Sequence, residues 1–241
     1  MNAAGIELVV LPDADAVADE AARRVAGILR GRLAHDDVAS IVLAGGSTGA
    51  RFHRALARPE HAQGIDWTRM HVFFGDERAV PPADPASNFG AASRDLLEPV
   101  GIPSPNVHRM AGEADPESAA RDYELQLARW LASHGRLDVA LLGVGEDGHT
   151  ASLFPGDASL RETERLCLVT RSPRPPHARI TLTYPAFARA LHILVLVHGR
   201  KKRAVVARSL DQRGPDFTPA ARALSATGAA TWIVDRAAVA D

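Results

Sequence analysis

Eight strand-like runs punctuate the chain: IELVVL, SIVLAGG, MHVFFGDER, LDVALLGVG, RLCLVT, ARITLT, LHILVLV and ATWIVD. Most are apolar at consecutive positions rather than alternate ones. Such a strand needs cover on both faces, as in a parallel sheet flanked by helices. Helical patterns lie between the runs. Asp13 is placed to cap a helix in which Val17, Ala21, Val25, Ile28 and Leu33 recur at helical spacing. Asp115-Pro116 opens another, with Asp at the cap and Pro at the first helical position, continuing to about His134. The helix after SIVLAGG must stop before Pro59. The expected architecture is α/β: a doubly wound, mostly parallel sheet with helices on both faces, as one domain over 1–241. From about Gly156 to Thr183 the chain is richer in proline without a clear helix, so a small strand-and-loop insertion is expected there.

Composition narrows the partners. With 46% hydrophobic and 24% charged residues, the chain reads as an ordinary soluble globular protein. Its formal net charge of −1 gives no global pull toward nucleic acid or an acidic membrane, so any anion site must be local. Cys167 is the single cysteine, which excludes an intrachain disulfide and suits a reducing cytoplasm. No run of about 18 apolar residues occurs, and the N-terminal stretch lacks a basic segment followed by an apolar core. Secretory and membrane-spanning readings are therefore not expected.

In sheets of this kind ligands bind beyond the carboxyl ends of the strands, which directs attention to three loops. LAGGSTGA (Leu43 to Ala50) could hold a phosphate on successive amides, or be a plain turn capped by Ser47 or Thr48. No lysine follows its glycines at the spacing of a P-loop. FFGDERAVPPADPASNFG places Asp76, Glu77 and Arg78 directly after an apolar strand, either as a solvated edge or as part of a site. Ser87-Asn88 reads as the cap of the next helix. The third loop, in DVALLGVGEDGHTASLFPG, contains a G-x-G-x-x-G at Gly143, Gly145 and Gly148. A dinucleotide turn would have to lead into a helix, but Glu146 and Asp147 would repel a pyrophosphate and Pro155-Gly156 would cut that helix short.

The dinucleotide reading is rejected, and Asp147-Gly148-His149 remains. Gly148 permits a sharp bend that lets a carboxylate and an imidazole project into one cleft. Histidine gains and loses a proton near neutrality, and a neighbouring carboxylate fixes its tautomer. Basic residues end other strands: Arg179 in SPRPPHARITLT, and Arg200, Lys201, Lys202 and Arg203 in VHGRKKRAVV. That last run is a solvated face by default, although one member could point inward at an anion. His71, His177, His192 and His198 are scattered without metal-ligand spacing, and neither a catalytic metal nor a cofactor is expected.

Taken together, LAGGSTGA, FFGDERAVPPADPASNFG, LLGVGEDGHTASLFPG, SPRPPHARITLT and HGRKKRAV resemble the successive signature blocks of the 6-phosphogluconolactonase family, in that family's order and over nearly the whole chain. The resemblance implies a Rossmann-like architecture, shared with glucosamine-6-phosphate deaminases. It also implies hydrolysis of 6-phosphoglucono-δ-lactone to 6-phosphogluconate in the oxidative pentose phosphate pathway. His149 matches the catalytic histidine and Asp147 its partner carboxylate. Arg78, Arg179 and Lys202 match the cationic positions, and Gly45, Gly46, Ser47 and Thr48 match the sugar-phosphate loop. Gly49 departs from the proline that many members carry.

On this reading His149 takes a proton from the attacking water and Arg78 offsets charge on the carbonyl oxygen. Arg179, Lys202 and the Gly45–Thr48 amides hold the phosphate. The expected partner is a small sugar-phosphate lactone, with no nucleic acid or membrane, for a cytoplasmic monomer or weak homo-oligomer. Two rivals stand beside it. A sugar-phosphate deaminase or isomerase of the related kind carries a glutamate five residues after the matching histidine, where this chain has Phe154. A non-catalytic sugar-phosphate sensor would be expected to lose Asp147 or His149 first, and both are present.

Overall fold

Nine strands occur in the computed structural model, which describes residues 6–211, 218–225 and 230–239: β1 Ile6–Leu11, β2 Ala39–Leu43, β3 Met70–Phe74, β4 Asp76–Arg78, β5 Leu137–Gly143, β6 Cys167–Arg171, β7 Ala178–Leu182, β8 Ala190–Val197 and β9 Ala230–Asp235. Six of them form one all-parallel sheet in the order β1-β9-β8-β5-β2-β3. The main helices are α1 Ala14–Leu33, α2 Gly46–Leu56, α3 Pro116–His134 and α4 Arg203–Leu210.

Successive strand residues are sorted to opposite faces, which explains why the runs are apolar throughout. Ile41, Leu43, Val139 and Leu141 pack with α1 and α2 in one core. Val42, Ala140 and Leu142 pack with α3 in the other, against Tyr123, Leu127 and Trp130. The helix starts follow local chemistry. The Asp13 carboxylate accepts from the amides of Asp15 and Ala16, and Val17, Ala21, Val25 and Leu33 are buried as their spacing predicts. Ile28 is only partly buried at the margin of that core. Asp115 caps α3, with Pro116 as its first residue, and α2 ends at Leu56, ahead of Pro59.

Two strand expectations are corrected. MHVFFGDER is not one strand: β3 ends at Phe74, and Asp76–Arg78 leaves as β4 for a second sheet. RLCLVT and ARITLT do not join the parallel sheet either; they form an antiparallel hairpin, β6 with β7, and β4 pairs with β7. The 156–183 stretch thus supplies two strands of a three-stranded sheet ordered β4-β7-β6, whose third strand comes from β4. Gly75 is the joint. Its amide donates to the Leu43 carbonyl of the large sheet at 2.9 Å, and its carbonyl accepts from the Leu182 amide of the small one at 2.8 Å.

The chain runs from β2 outward to β3, and from β5 in the opposite direction to β8 and β9. A crevice is expected where the connections diverge like this, between β2 and β5. Their shared ladder is short, pairing Ile41 with Val139 and Val42 with Ala140. A side-chain link reinforces it: the buried Asp138 carboxylate accepts from both the amide and the hydroxyl of Ser40, at 2.7 and 2.9 Å. Among the described residues no helix is long and apolar enough to cross a membrane.

Candidate active site

The crevice is a cleft of about 790 Å³ over the carboxyl ends of β2, β3, β5 and β8. Its lining includes Gly45, Gly46, Ser47, Thr48, Arg78, Asp147, His149, Arg179 and Lys202, so residues from five separate chain segments meet in one depression.

The loop after β5 is shaped by its glycines. The Gly145 amide donates to the His149 carbonyl and the Gly148 amide to that of Gly145, at 2.7 and 3.1 Å, so the chain doubles back on itself. Gly148 has φ +95°, a left-handed conformation that glycine adopts without strain. A Cβ at Gly145 would fall 2.1 Å from His149 Nδ1, so the imidazole packs directly over that residue. No helix follows, and the Thr150 hydroxyl donates to the Gly143 carbonyl instead. Asp147 Oδ1 sits 2.6 Å from His149 Nδ1 and also accepts from the His149 amide at 3.1 Å. The hydrogen bond with the ring holds the Asp147 carboxyl down to about 2. With Nδ1 engaged in this way, Nε2 is the ring nitrogen left for exchanging a proton with a ligand. The Phe154 ring lies beside the imidazole, with centroids 4.9 Å apart.

The loop after β2 leads into α2, for which Gly45 is the N-cap and Gly46 has φ +70°. Neither Ser47 nor Thr48 caps the helix; no side chain does. Its first amides are therefore not satisfied by a cap, at an end of the helix that favours negative charge. Gly49 has its own reason to be glycine, since a Cβ there would meet the Ala44 carbonyl oxygen at 2.1 Å.

β4 separates the three charges of the D-E-R run. Glu77 turns away from the cleft and is buried. Its carboxylate accepts from the amides of Arg78, Asn88 and Phe89, each at 2.7 Å, and from the Ser87 hydroxyl at 3.0 Å. It thereby organises the turn that returns to the site, although burial pushes its pKa up. Asp76 lines the cleft, accepting from the Ser152 hydroxyl at 2.6 Å and from Asn88 Nδ2 at 3.2 Å. Ser87 does cap the short helix that starts at Asn88. Asn88 itself reaches further than a capping role, to the Asp76 carbonyl and to Gly45, where a Cβ would lie 2.1 Å from Asn88 Oδ1.

Arg78 and Arg179 occupy paired positions of the β4–β7 ladder. Arg78 Nη1 donates to the Ala86 carbonyl. Arg179 is only 7% exposed, and its buried Nη1 has no hydrogen-bond partner. Burial, and then the charge of Arg78, lower its pKa, while Asp76 and Glu77 oppose the shift. Of the basic run after β8, Lys202 lines the cleft, whereas Arg200 and Lys201 are exposed. Burial lowers the Lys202 pKa against the opposing charges of Glu146 and Asp147. The turn carrying it begins at Gly199, whose amide is held by both oxygens of Asp235.

Sequence reasoning did not single out Ser152 or Arg174, set His198 aside among scattered histidines, and gave Asn88 a capping role, although all four line the cleft. His198 was legible, because it directly follows the apolar run of β8. The contacts of Asn88 and Ser152 carry no local signal.

Residues 12–232 match the family model described as glucosamine-6-phosphate isomerases/6-phosphogluconolactonase. The chain belongs to this family. Within it, the 6-phosphogluconolactonase of Mycobacterium tuberculosis is 39% identical over 240 residues, covering 96% of each chain. The solved 6-phosphogluconolactonase of Thermotoga maritima superposes with a TM-score of 0.83 at 29% identity, over 95% of this chain and 99% of that one. A monomeric glucosamine-6-phosphate deaminase also superposes, with a TM-score of 0.81 over 96% of this chain and 98% of that one, but at 21% identity this likeness concerns the fold alone. The family description itself names both isomerases and a lactonase.

Proposed function

We propose that this member of the family hydrolyses 6-phospho-D-glucono-1,5-lactone to 6-phospho-D-gluconate, the step of the oxidative pentose phosphate pathway that opens the lactone. The observation that carries the reading is the Asp147–His149 pair, set in the same cleft as an uncapped helix start and the cationic side chains of Arg78, Arg174, Arg179 and Lys202. The 39% identity to a relative named 6-phosphogluconolactonase, over nearly all of both chains, supports it.

A lactone is already an activated ester, so one attack by water suffices. His149 Nε2 takes a proton from the water as its oxygen bonds to C1. Asp147 holds the ring in position and stabilises the imidazolium. Arg78, its guanidinium direction fixed by the Ala86 carbonyl, offsets the charge that develops on the carbonyl oxygen. The C1–ring-oxygen bond then breaks, and His149 returns the proton to the departing oxygen. Arg179, Lys202 and the amides of Gly45–Thr48 hold the phosphate, so that binding at one end orients the other. All these groups come from one chain, and the reading calls for no nucleic-acid or membrane partner. A cytoplasmic setting suits the unpaired, buried Cys167.

Phe154 weighs against the deaminase reading. That chemistry relays a proton through an acid at this position, and here an apolar ring packs on the imidazole instead. The non-catalytic reading is opposed by the intact, hydrogen-bonded Asp147–His149 pair. In an assay coupled to 6-phosphogluconate oxidation and corrected for spontaneous opening, His149→Ala should lose about 10²–10⁴-fold in kcat. The ring is partly exposed, so the fold should survive the change. Near-normal turnover would falsify the role of His149 as the base, and deamination of glucosamine 6-phosphate by the wild-type protein would reverse the choice of reaction.

A further inference from the structure

His198 follows β8 at the carboxyl edge of the sheet and lines the cleft, yet the steps above do not use it. Its Nε2 is shut off from solvent and has no hydrogen-bond partner, whereas buried polar atoms are nearly always paired. Charged groups from several elements act on the ring: Arg51 of α2, Asp15 of α1, Asp235 at the end of β9, and Lys202 in the turn after β8. Both carboxylates are already engaged. Asp15 pairs with Arg51, and Asp235 accepts from the amides of Gly199 and Ala238. Burial, with Arg51 and Lys202, therefore keeps the ring below the ordinary histidine range and uncharged at neutral pH. A neutral imidazole with one unpaired nitrogen thus belongs to the same cleft lining as Lys202 and as Ser47 and Thr48 of the uncapped first turn of α2.

We propose that His198 recognises the phosphate of the substrate, hydrogen-bonding it through a ring nitrogen and taking up a proton as the dianion settles among His198, Lys202 and the amino end of α2. The proton comes from solvent and forms an N–H bond on the ring; no bond of the substrate breaks. A phosphate dianion reverses the local charge balance, and the resulting imidazolium makes a charge-assisted hydrogen bond to it. Recognition is then coupled to proton uptake, and binding strengthens as pH falls through the window between the free and bound values. This rests on the phosphate-binding reading of the cleft.

The test is calorimetric titration with 6-phosphogluconate near pH 7, in two buffers of different ionisation enthalpy, on the wild type and on His198→Gln. Titration of the ligand's own phosphate is common to both proteins, so the difference in protons taken up reports the ring. The wild type should take up measurably more protons than the variant and bind about 10-fold more tightly. In the labelled wild type, the His198 ring resonance should titrate about one pH unit or more higher when 6-phosphogluconate is bound, a readout that does not depend on the variant folding. Equal proton uptake, or a ring resonance unmoved by bound ligand, overturns the inference and leaves the lactonase reading standing. Failure of the wild type to bind 6-phosphogluconate overturns the phosphate reading, and this inference with it.

Discussion

Arg78 and Arg179 lie opposite each other on two antiparallel strands, and both reach the same cleft. Like charges directly opposite one another destabilise a strand pair. The buried Nη1 of Arg179, without a hydrogen-bond partner, adds the cost of desolvation. Such a pairing makes sense in a site that receives an anion, where the ligand's charge relieves both penalties.

Replacing Arg179 with Met should therefore separate stability from function. The melting temperature is expected to hold or rise, by about 2–4 °C if the relief reaches about 1 kcal/mol. kcat/KM should fall by about 10²-fold. Calorimetry and the coupled assay together check this; a lower melting temperature with intact kcat/KM would show that the guanidinium serves the fold instead.

Gly45 and Asn88 are predicted to be coupled. In Gly45→Ala the new Cβ would overlap Asn88 Oδ1, displacing the amide that holds Asp76 and shifting the start of α2. A displacement of this kind should cost about 10²-fold in kcat/KM. With Asn88→Ala in the same chain the overlap disappears, so the double variant should be little worse than Asn88→Ala alone, with a coupling of about 0.5–3 kcal/mol. Simple additivity of the two losses would show that the two residues do not act through this contact.

Two carboxylates are predicted to give opposite pH signatures. The hydrogen bond from His149 lowers the folded-state pKa of Asp147 to about 2, so its contribution to stability is present above the unfolded value, 3.8, and is lost as pH falls through about 2. Glu77 is shifted the other way by burial, so the stability linked to it is greatest below its unfolded value of 4.5 and declines as pH rises through the elevated one. Denaturant midpoints measured between about pH 4 and 7 should show this decline in the wild type, and a flatter profile in Glu77→Gln. Asp147→Asn should leave that interval unchanged. A Glu77→Gln profile parallel to the wild type would contradict the assignment.

Glu77 should also be needed to assemble the turn from Arg78 to Phe89. Glu77→Ala leaves three amides and a hydroxyl without their acceptor, and is expected to cost about 2–4 kcal/mol. An unchanged denaturation midpoint would mean that water replaces the carboxylate.

What could be read along the chain was what depends on neighbours a few residues away. The Asp13 and Asp115 caps, the two-faced strands and the glycine-shaped Asp147–His149 turn all belong to that kind, because periodicity, capping and backbone freedom act within about a turn or two. The rule that ligands lie beyond strand ends then directed attention to residues that share one cleft at the carboxyl rim of the sheet. Only tertiary structure decided where MHVFFGDER divides, because Gly75 must bond to Leu43 on one sheet and Leu182 on the other. It likewise decided that Arg78 faces Arg179, that Asp76 meets Ser152 across 76 residues, that Glu77 points away from the cleft, and that Asn88 packs on Gly45. Such contacts depend on strand register and sheet partner, which are settled when distant segments bury one another, and a single residue of slip would turn the side chains of Asp76, Glu77, Arg78 and Arg179 to the opposite face.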